Sequence, residues 1–176
     1  MYYAKKFTTK SIMALIVLSL LIPGMAFAQS QETLYQNNNI TKENLFINNL
    51  LKDINQSRAE NGLKELILNE KLMEAAQGKA DHMSSEQYFA HYSPKDNVSP
   101  WHWFYEANYS PKRAGENLAL SPKKNSSLIV NAWLNSPSHK KNIMNTYYEE
   151  TGLAVVRGMY KNKEIYYIVQ MFGLEK

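Results

Sequence analysis

Near the end of the chain lie two runs rich in Val, Ile and Tyr, residues 152–160 and 164–172, separated by Lys161-Asn162-Lys163. β-Branched and aromatic residues fit a pleated, half-buried surface, and the short polar spacer reads as a hairpin turn. The chain contains no cysteine, so an exported protein of this sequence must hold its sheet by packing alone. A thiol nucleophile and a thiolate metal site are excluded on the same ground. Upstream, the apolar spacing is helical. Leu45, Ile47, Leu50, Leu51 and Ile54 predict a helix from an N-cap at Thr41 to about Glu60, stopped by Asn61-Gly62. Asn69 can cap a second helix whose stripe is Leu72, Ala75, Ala76, Ala80 and Met83. Ser99-Pro100 opens a short helix through Trp101, Trp103 and Phe104. Ser126 or Ser127 opens another that carries Ile129, Val130 and Trp133. Pro137 holds Ser136 extended and ends that helix, and Ser138 restarts a helical turn around residues 139–144. No internal repeat or linker divides the chain. Helices early and strands late make it α+β.

Residues 1–28 read as a signal peptide. Lys5, Lys6 and Lys10 form the basic start, residues 12–22 the apolar run, and Ala26-Phe27-Ala28 the small-x-small cleavage pattern. The run is short for a bilayer span, which takes about 20 residues. With no cysteine after the cleavage site to carry a lipid, no stable membrane anchor is expected. The mature protein should start near Gln29 and be secreted, extracellular or periplasmic. Residues 29–40, polar and with three successive asparagines, read as a disordered lead-in. Residues 41–176 are left as the folded domain, one core in size. The leader's three charges are all lysines, so the rest of the chain has 17 basic and 16 acidic residues. That near-neutral balance does not point to nucleic acid, whose binders carry a clustered basic face.

Of the four histidines, His82 sits at the edge of an apolar stripe and His102 between two tryptophans, and both read as structural. His91 ends the aromatic run Tyr88-Phe89-Ala90 where the chain changes direction, and His139 opens a short helix. Such loop-edge positions are where a scaffold presents working groups. In Arg113-Ala-Gly-Glu-Asn-Leu118, Glu116 stands at the mouth of an apolar run, read as a tight turn at Gly115 leading into an extended segment. A carboxylate buried there needs a cation or hydrogen bonds to stay ionised. Two imidazoles, alone or through a shared metal, would serve.

Together these segments resemble the CAP superfamily of cysteine-rich secretory, antigen-five and pathogenesis-related proteins, in its bacterial secreted (SCP-like) form. The resemblance rests on Asn55-Gln-Ser-Arg58, Asn61-Gly62-Leu63, Phe89-Ala90-His91, Ala114-Gly115-Glu116-Asn117-Leu118-Ala119, Trp133-Leu-Asn-Ser136, Ser138-His139, Asn142-Ile143 and Tyr167-Ile-Val-Gln170-Met-Phe172. It spans about Leu45 to Phe172 and implies a three-layer α-β-α sandwich with a central antiparallel sheet. In many eukaryotic relatives it also implies a cleft in which two histidines and two glutamates converge. His91 and Glu116 match the first of each. The second glutamate's place is Ser136 and the second histidine's is Tyr167, while His139 belongs to a Ser-Pro-x-His stretch of the bacterial branch. The sequence leaves open whether His139 reaches the same cleft.

The resemblance implies a secreted binding module whose cleft takes a divalent metal, zinc being the most plausible, through His91 and His139. A lipid, sterol-like or cell-envelope ligand is the other expected partner, with the protein a monomer. Two neutral imidazoles with a carboxylate or water are sensible zinc chemistry. The rival reading is a hydrolase in which His91 or His139 is the general base, Glu116 its orienter, and a metal-bound or activated water the nucleophile. A third is a structural envelope protein with a relic site. No His-Glu-x-x-His motif occurs, and neither Ser136 nor Ser138 sits in a nucleophile elbow, so binding is favoured over catalysis.

Overall fold

The computed structural model describes residues 23–176, and the basic and apolar parts of the leader lie outside them. The elements in order are α1 (Pro23–Glu60), β1 (Ile67–Leu68), α2 (Glu70–Ser85), α3 (Pro100–Glu106), β2 (Pro111–Ser121), α4 (Ser126–Leu134), α5 (Pro137–Ile143), β3 (Glu150–Tyr160) and β4 (Lys163–Glu175). The chain divides into two units at Asn38/Asn39. In the first, residues 23–38 are helical and the described side chains, residues 28–35, 37 and 38, are exposed. A disordered lead-in over 29–40 is therefore not what the structure has: this segment is helical, and Thr41 lies inside α1 instead of capping it. No proline or glycine interrupts the chain between Gly24 and Gly62, and the Thr33 hydroxyl donates back to the Gln29 carbonyl at 2.9 Å. The helix stops where expected, at Gly62 with φ of 71°. No helix among the described residues is long and apolar enough to cross a membrane.

The second unit is built on a four-stranded sheet of order β1-β3-β4-β2. All pairings are antiparallel except the two-residue β1, which runs parallel to β3. Lys161 and Asn162 both take positive φ, 49° and 62°, the geometry of a two-residue turn whose twist matches the flanking strands. Strand alternation then sorts the core into two layers. Ile168, Phe172, Leu153 and Val155 pack with Ile47, Leu50 and Ile54 of α1 and with Ile129, Val130 and Trp133 of α4. Tyr167, Val169, Met171, Leu118 and Ala154 pack with Leu72, Ala76, Ala80 and Met83 of α2 and Phe104 of α3. Helices on both faces of one sheet make the α-β-α sandwich that the resemblance implies.

α2 lies against the sheet at backbone distance. A Cβ at Gly152 would stand 2.0 Å from the Leu72 carbonyl carbon and oxygen, so only glycine permits that approach. Asn69 caps α2 as expected, its side chain accepting from the Leu72 amide at 3.2 Å. Asn55, 8 % exposed, closes the turn after α1 by pairing with both the amide (2.9 Å) and carbonyl (3.0 Å) of Leu66.

Candidate functional site

β2 is an edge strand, and residues 111–121 are extended throughout. Glu116 therefore sits mid-strand, not after a turn at Gly115. The correction has a physical source, because glycine, glutamate and asparagine are poor strand formers on their own. Here the strand is held from both edges. One edge pairs with β4, Glu116 standing opposite Met171. On the other, the carbonyls of Ala114, Glu116 and Leu118 are met in turn by the Tyr148 hydroxyl (2.8 Å), the Asn142 amide (3.0 Å) and the Trp133 indole N–H (3.0 Å). Three side chains thus satisfy the acceptors that an open edge would offer to another strand. Gly115 makes room for this cover, since a Cβ there would meet the Tyr148 oxygen at 2.6 Å.

Alternation along β2 sends neighbouring side chains to opposite layers. Glu116 shares its face with Leu118, toward α2, and its side chain is 2 % exposed. Asn117 turns the other way, where its amide donates to the His139 carbonyl (3.2 Å) and its oxygen accepts from Asn142 (2.9 Å). Both helical layers bring a histidine to this edge. His91 comes from the segment after α2, and His139 from α5. They line one cavity of about 410 Å³ together with Glu116, Gly115, Ser138, Asn142, Tyr92 and Trp101.

His91 Nδ1 lies 2.6 Å from Glu116 Oε1. An ionised carboxylate only accepts, so Nδ1 carries the proton, and in the neutral ring Nε2 has its lone pair for a ligand. Glu116 Oε2 is buried and has no partner. Below the pair, the fully buried Lys79 ammonium donates to the His91 carbonyl at 2.7 Å and attracts Glu116 electrostatically. Burial, reinforced by the positive charge of His91 when protonated, holds His139 below the ordinary histidine value. Stability should therefore fall as pH drops below about 6.5, where the unfolded chain takes up a proton that folded His139 resists. The expected result is a shallower acid-side loss in His139→Gln than in wild type, read from urea unfolding between pH 7 and 5. An unchanged slope would place the histidine in solvent.

Of the three site residues expected from sequence, all face this cavity. The second-histidine place, Tyr167, does not: it is fully buried in the α2 layer, its hydroxyl donating to the Met159 carbonyl at 2.8 Å. Its register partner on β2 is Leu120, four residues beyond Glu116, so His139 is the histidine that joins His91. Ser136 is the N-cap of α5, its hydroxyl 3.3 Å from that of Ser138, and it does not line the cavity. His102 is outside the cavity too, against Trp103 on α3. Sequence reading missed Lys79 although it stands seven residues after Leu72 on the buried stripe. It also gave no role to the aromatic wall of Tyr92 and Trp101.

A metal would find two imidazoles here and an outer carboxylate. Among the described residues no three His, Cys, Asp or Glu side chains come together as a metal set. A closed structural zinc centre takes four protein ligands, and the donors present do not fit one. Two imidazoles are also one protein ligand short of an open zinc site. What the cleft has is a carboxylate behind His91, bonded to its Nδ1 at 2.6 Å, the kind of partner that commonly supports metal-bound histidines.

The model of the CAP, cysteine-rich secretory protein, family matches residues 51–172. Two proteins of Bacillus subtilis (strain 168) are related. The uncharacterized protein YkwD is 37% identical over 102 residues, 58% of this chain and 39% of its own length. The uncharacterized membrane protein YlbC is 32% identical over 111 residues, 60% and 30% respectively. The match thus spans two-fifths or less of these relatives. Among solved structures, an outer surface protein from Borrelia burgdorferi aligns with a TM-score of 0.61 at 28% identity, over 72% of this chain and 90% of that one. An extracellular protein containing an SCP domain from Bacillus anthracis aligns at 0.62 and 26%, over 76% and 41%. Sandwich, edge strand and family match agree, and the chain belongs to the CAP, cysteine-rich secretory protein, family.

Proposed function

We propose that the protein is exported and works outside the membrane as a ligand-binding module, with the His91–Glu116–His139 cleft as its binding locus. One observation carries this reading: histidines from opposite helical layers meet at a cavity whose buried carboxylate is already bonded to one of them. The ligand that fits the imidazole pair is a divalent cation such as zinc, bound at His91 Nε2 and His139 and completed by water. The half-exposed rings of Tyr92 and Trp101 suit the apolar part of a lipid or cell-envelope ligand at the same mouth. The Bacillus anthracis relative is an extracellular protein and the Borrelia relative an outer surface protein, which supports export here.

Hydrolysis is the weaker reading. The His91–Glu116 bond would orient a general base for a metal-bound or activated water, but Ser138 adds no covalent nucleophile, being bonded to Ser136 and not to a histidine. A relic site is weaker still. A buried carboxylate with one unpartnered oxygen costs stability, and a purely structural cleft leaves that cost unexplained.

Calorimetric zinc titration of the mature protein tests the proposal. His91→Ala and His139→Ala should each abolish binding, and His102→Ala should leave it intact. Glu116→Gln keeps the shape without the charge and should weaken binding about 10–100-fold, the usual effect of losing a partner behind a metal-bound histidine. Equal zinc binding by wild type and the His91/His139 double variant would sink the metal reading.

A further inference from the structure

Lys79 is the one charged side chain on the buried stripe of α2, and it is 0 % exposed. Taking an ammonium out of water is costly, and packing alone would be served by an apolar residue of similar length. Its three protons are all committed. They go to the Tyr88 hydroxyl oxygen (3.1 Å), the Ala90 carbonyl (2.9 Å) and the His91 carbonyl (2.7 Å). Two successive backbone carbonyls are thus pinned at the residue that carries the cleft's imidazole.

The chain of bonds continues with a defined direction. Because Lys79 only donates, Tyr88 accepts from it and has its own proton free for His82 Nδ1, 2.9 Å away. Burial pushes the Tyr88 hydroxyl up to about 12, so it keeps that proton. With Nδ1 accepting, His82 Nε2 carries the ring proton and faces Asp96 Oδ2 at 3.3 Å. Lys79 and His82 are three residues apart, on one face of α2. Between them they tie the segment after the helix at residues 88, 90, 91 and 96. The His91 ring itself is about half exposed, 54 % by side chain, so Lys79 holds its backbone while Glu116 holds one ring nitrogen.

We infer that Lys79, Tyr88 and His82 form an internal clamp that positions His91 against Glu116, making Lys79 and His82 positioning residues of the cleft. The inference rests on the cleft being the binding locus only for its second readout. The first is independent of any ligand. A proton held in the 2.6 Å Nδ1–Oε1 bond should give a low-field proton resonance in histidine-labelled protein. Tyr88→Phe removes one oxygen and should shift or broaden that resonance, as should Lys79→Met. His82→Asn keeps an acceptor where Nδ1 stood and should preserve it, and His82→Leu should not. His102→Ala is the control. Zinc affinity, measured well below each variant's melting temperature, should fall about tenfold or more in the same variants, as when a metal-bound histidine loses its support. If Lys79→Met does not fold, Tyr88→Phe decides alone. Lower melting temperatures with an unchanged resonance would overturn the clamp and leave these residues as packing. The expected resonance changes in a protein whose wild type binds no zinc would uphold the clamp and remove only the metal reading.

Discussion

Trp133→Ala is expected to lower stability by about 3–5 kcal/mol, a large share of the roughly 5–15 kcal/mol available to a domain. Trp133 is 2 % exposed and packs in the layer that joins α1 and α4 to the sheet. Its loss removes volume and also the donor to the Leu118 carbonyl (3.0 Å). The two effects separate in Trp133→Phe, which keeps most of the ring. That variant leaves the carbonyl without its side-chain donor, at about 1–3 kcal/mol. Urea unfolding should therefore rank wild type above Phe above Ala. Hydrogen exchange should speed up first along β2, the strand whose outer edge the indole covers. A near-wild-type melt for the alanine variant would mean that the edge cover is not structural.

The same indole shows what the sequence could and could not reveal. Runs rich in Val, Ile and Tyr located the β3–β4 hairpin because a strand buried on both faces is apolar along most of its length regardless of partner. The Asn69 cap and the Gly62 stop were legible because local backbone geometry alone demands those residues. β2 was harder. Gly115, Glu116 and Asn117 have no strand preference, and what extends them is β4 on one side with Tyr148, Asn142 and Trp133 on the other. None of those partners is near in sequence. His91 and Glu116 were legible as site residues through the family resemblance, but their meeting with His139 depends on two helical layers reaching one edge. The resemblance instead gave Tyr167 as the second histidine's place, which lies in the same α2 layer as Glu116 but opposite Leu120, four residues further along β2, and is fully buried there. Lys79 was hidden by its type: a lysine on a helix normally reads as solvated, and only its place in the apolar stripe argued otherwise.

Arg58→Ala should be nearly as damaging as the tryptophan truncation, for a different reason. The guanidinium is 1 % exposed and has four backbone acceptors: the carbonyls of Lys64 (2.8 Å), Ile143 (2.6 Å), Asn145 (3.0 Å) and Tyr148 (3.3 Å). It thereby fastens the turn after α1 to the segment that follows α5. Each buried acceptor left without a donor costs about 1–3 kcal/mol. The adjoining cavity, lined by Arg58, Lys64, Thr146 and Tyr148, would admit water to some of them, so a loss of about 3 kcal/mol or more is expected rather than the full sum. Arg58→Lys should recover little, because an ammonium on a flexible stem has three protons and no planar fork with which to span four carbonyls. The consequence extends to the cleft. Segment 143–148 carries Tyr148, whose hydroxyl covers Ala114 next to Gly115 and Glu116. Losing the clamp should therefore speed hydrogen exchange in residues 143–148 and at the start of β2, with α2 least affected. Lysine matching arginine to within about 0.5 kcal/mol in urea unfolding, the scatter of an ordinary surface substitution, would show that the four-carbonyl fork is not what holds these segments together.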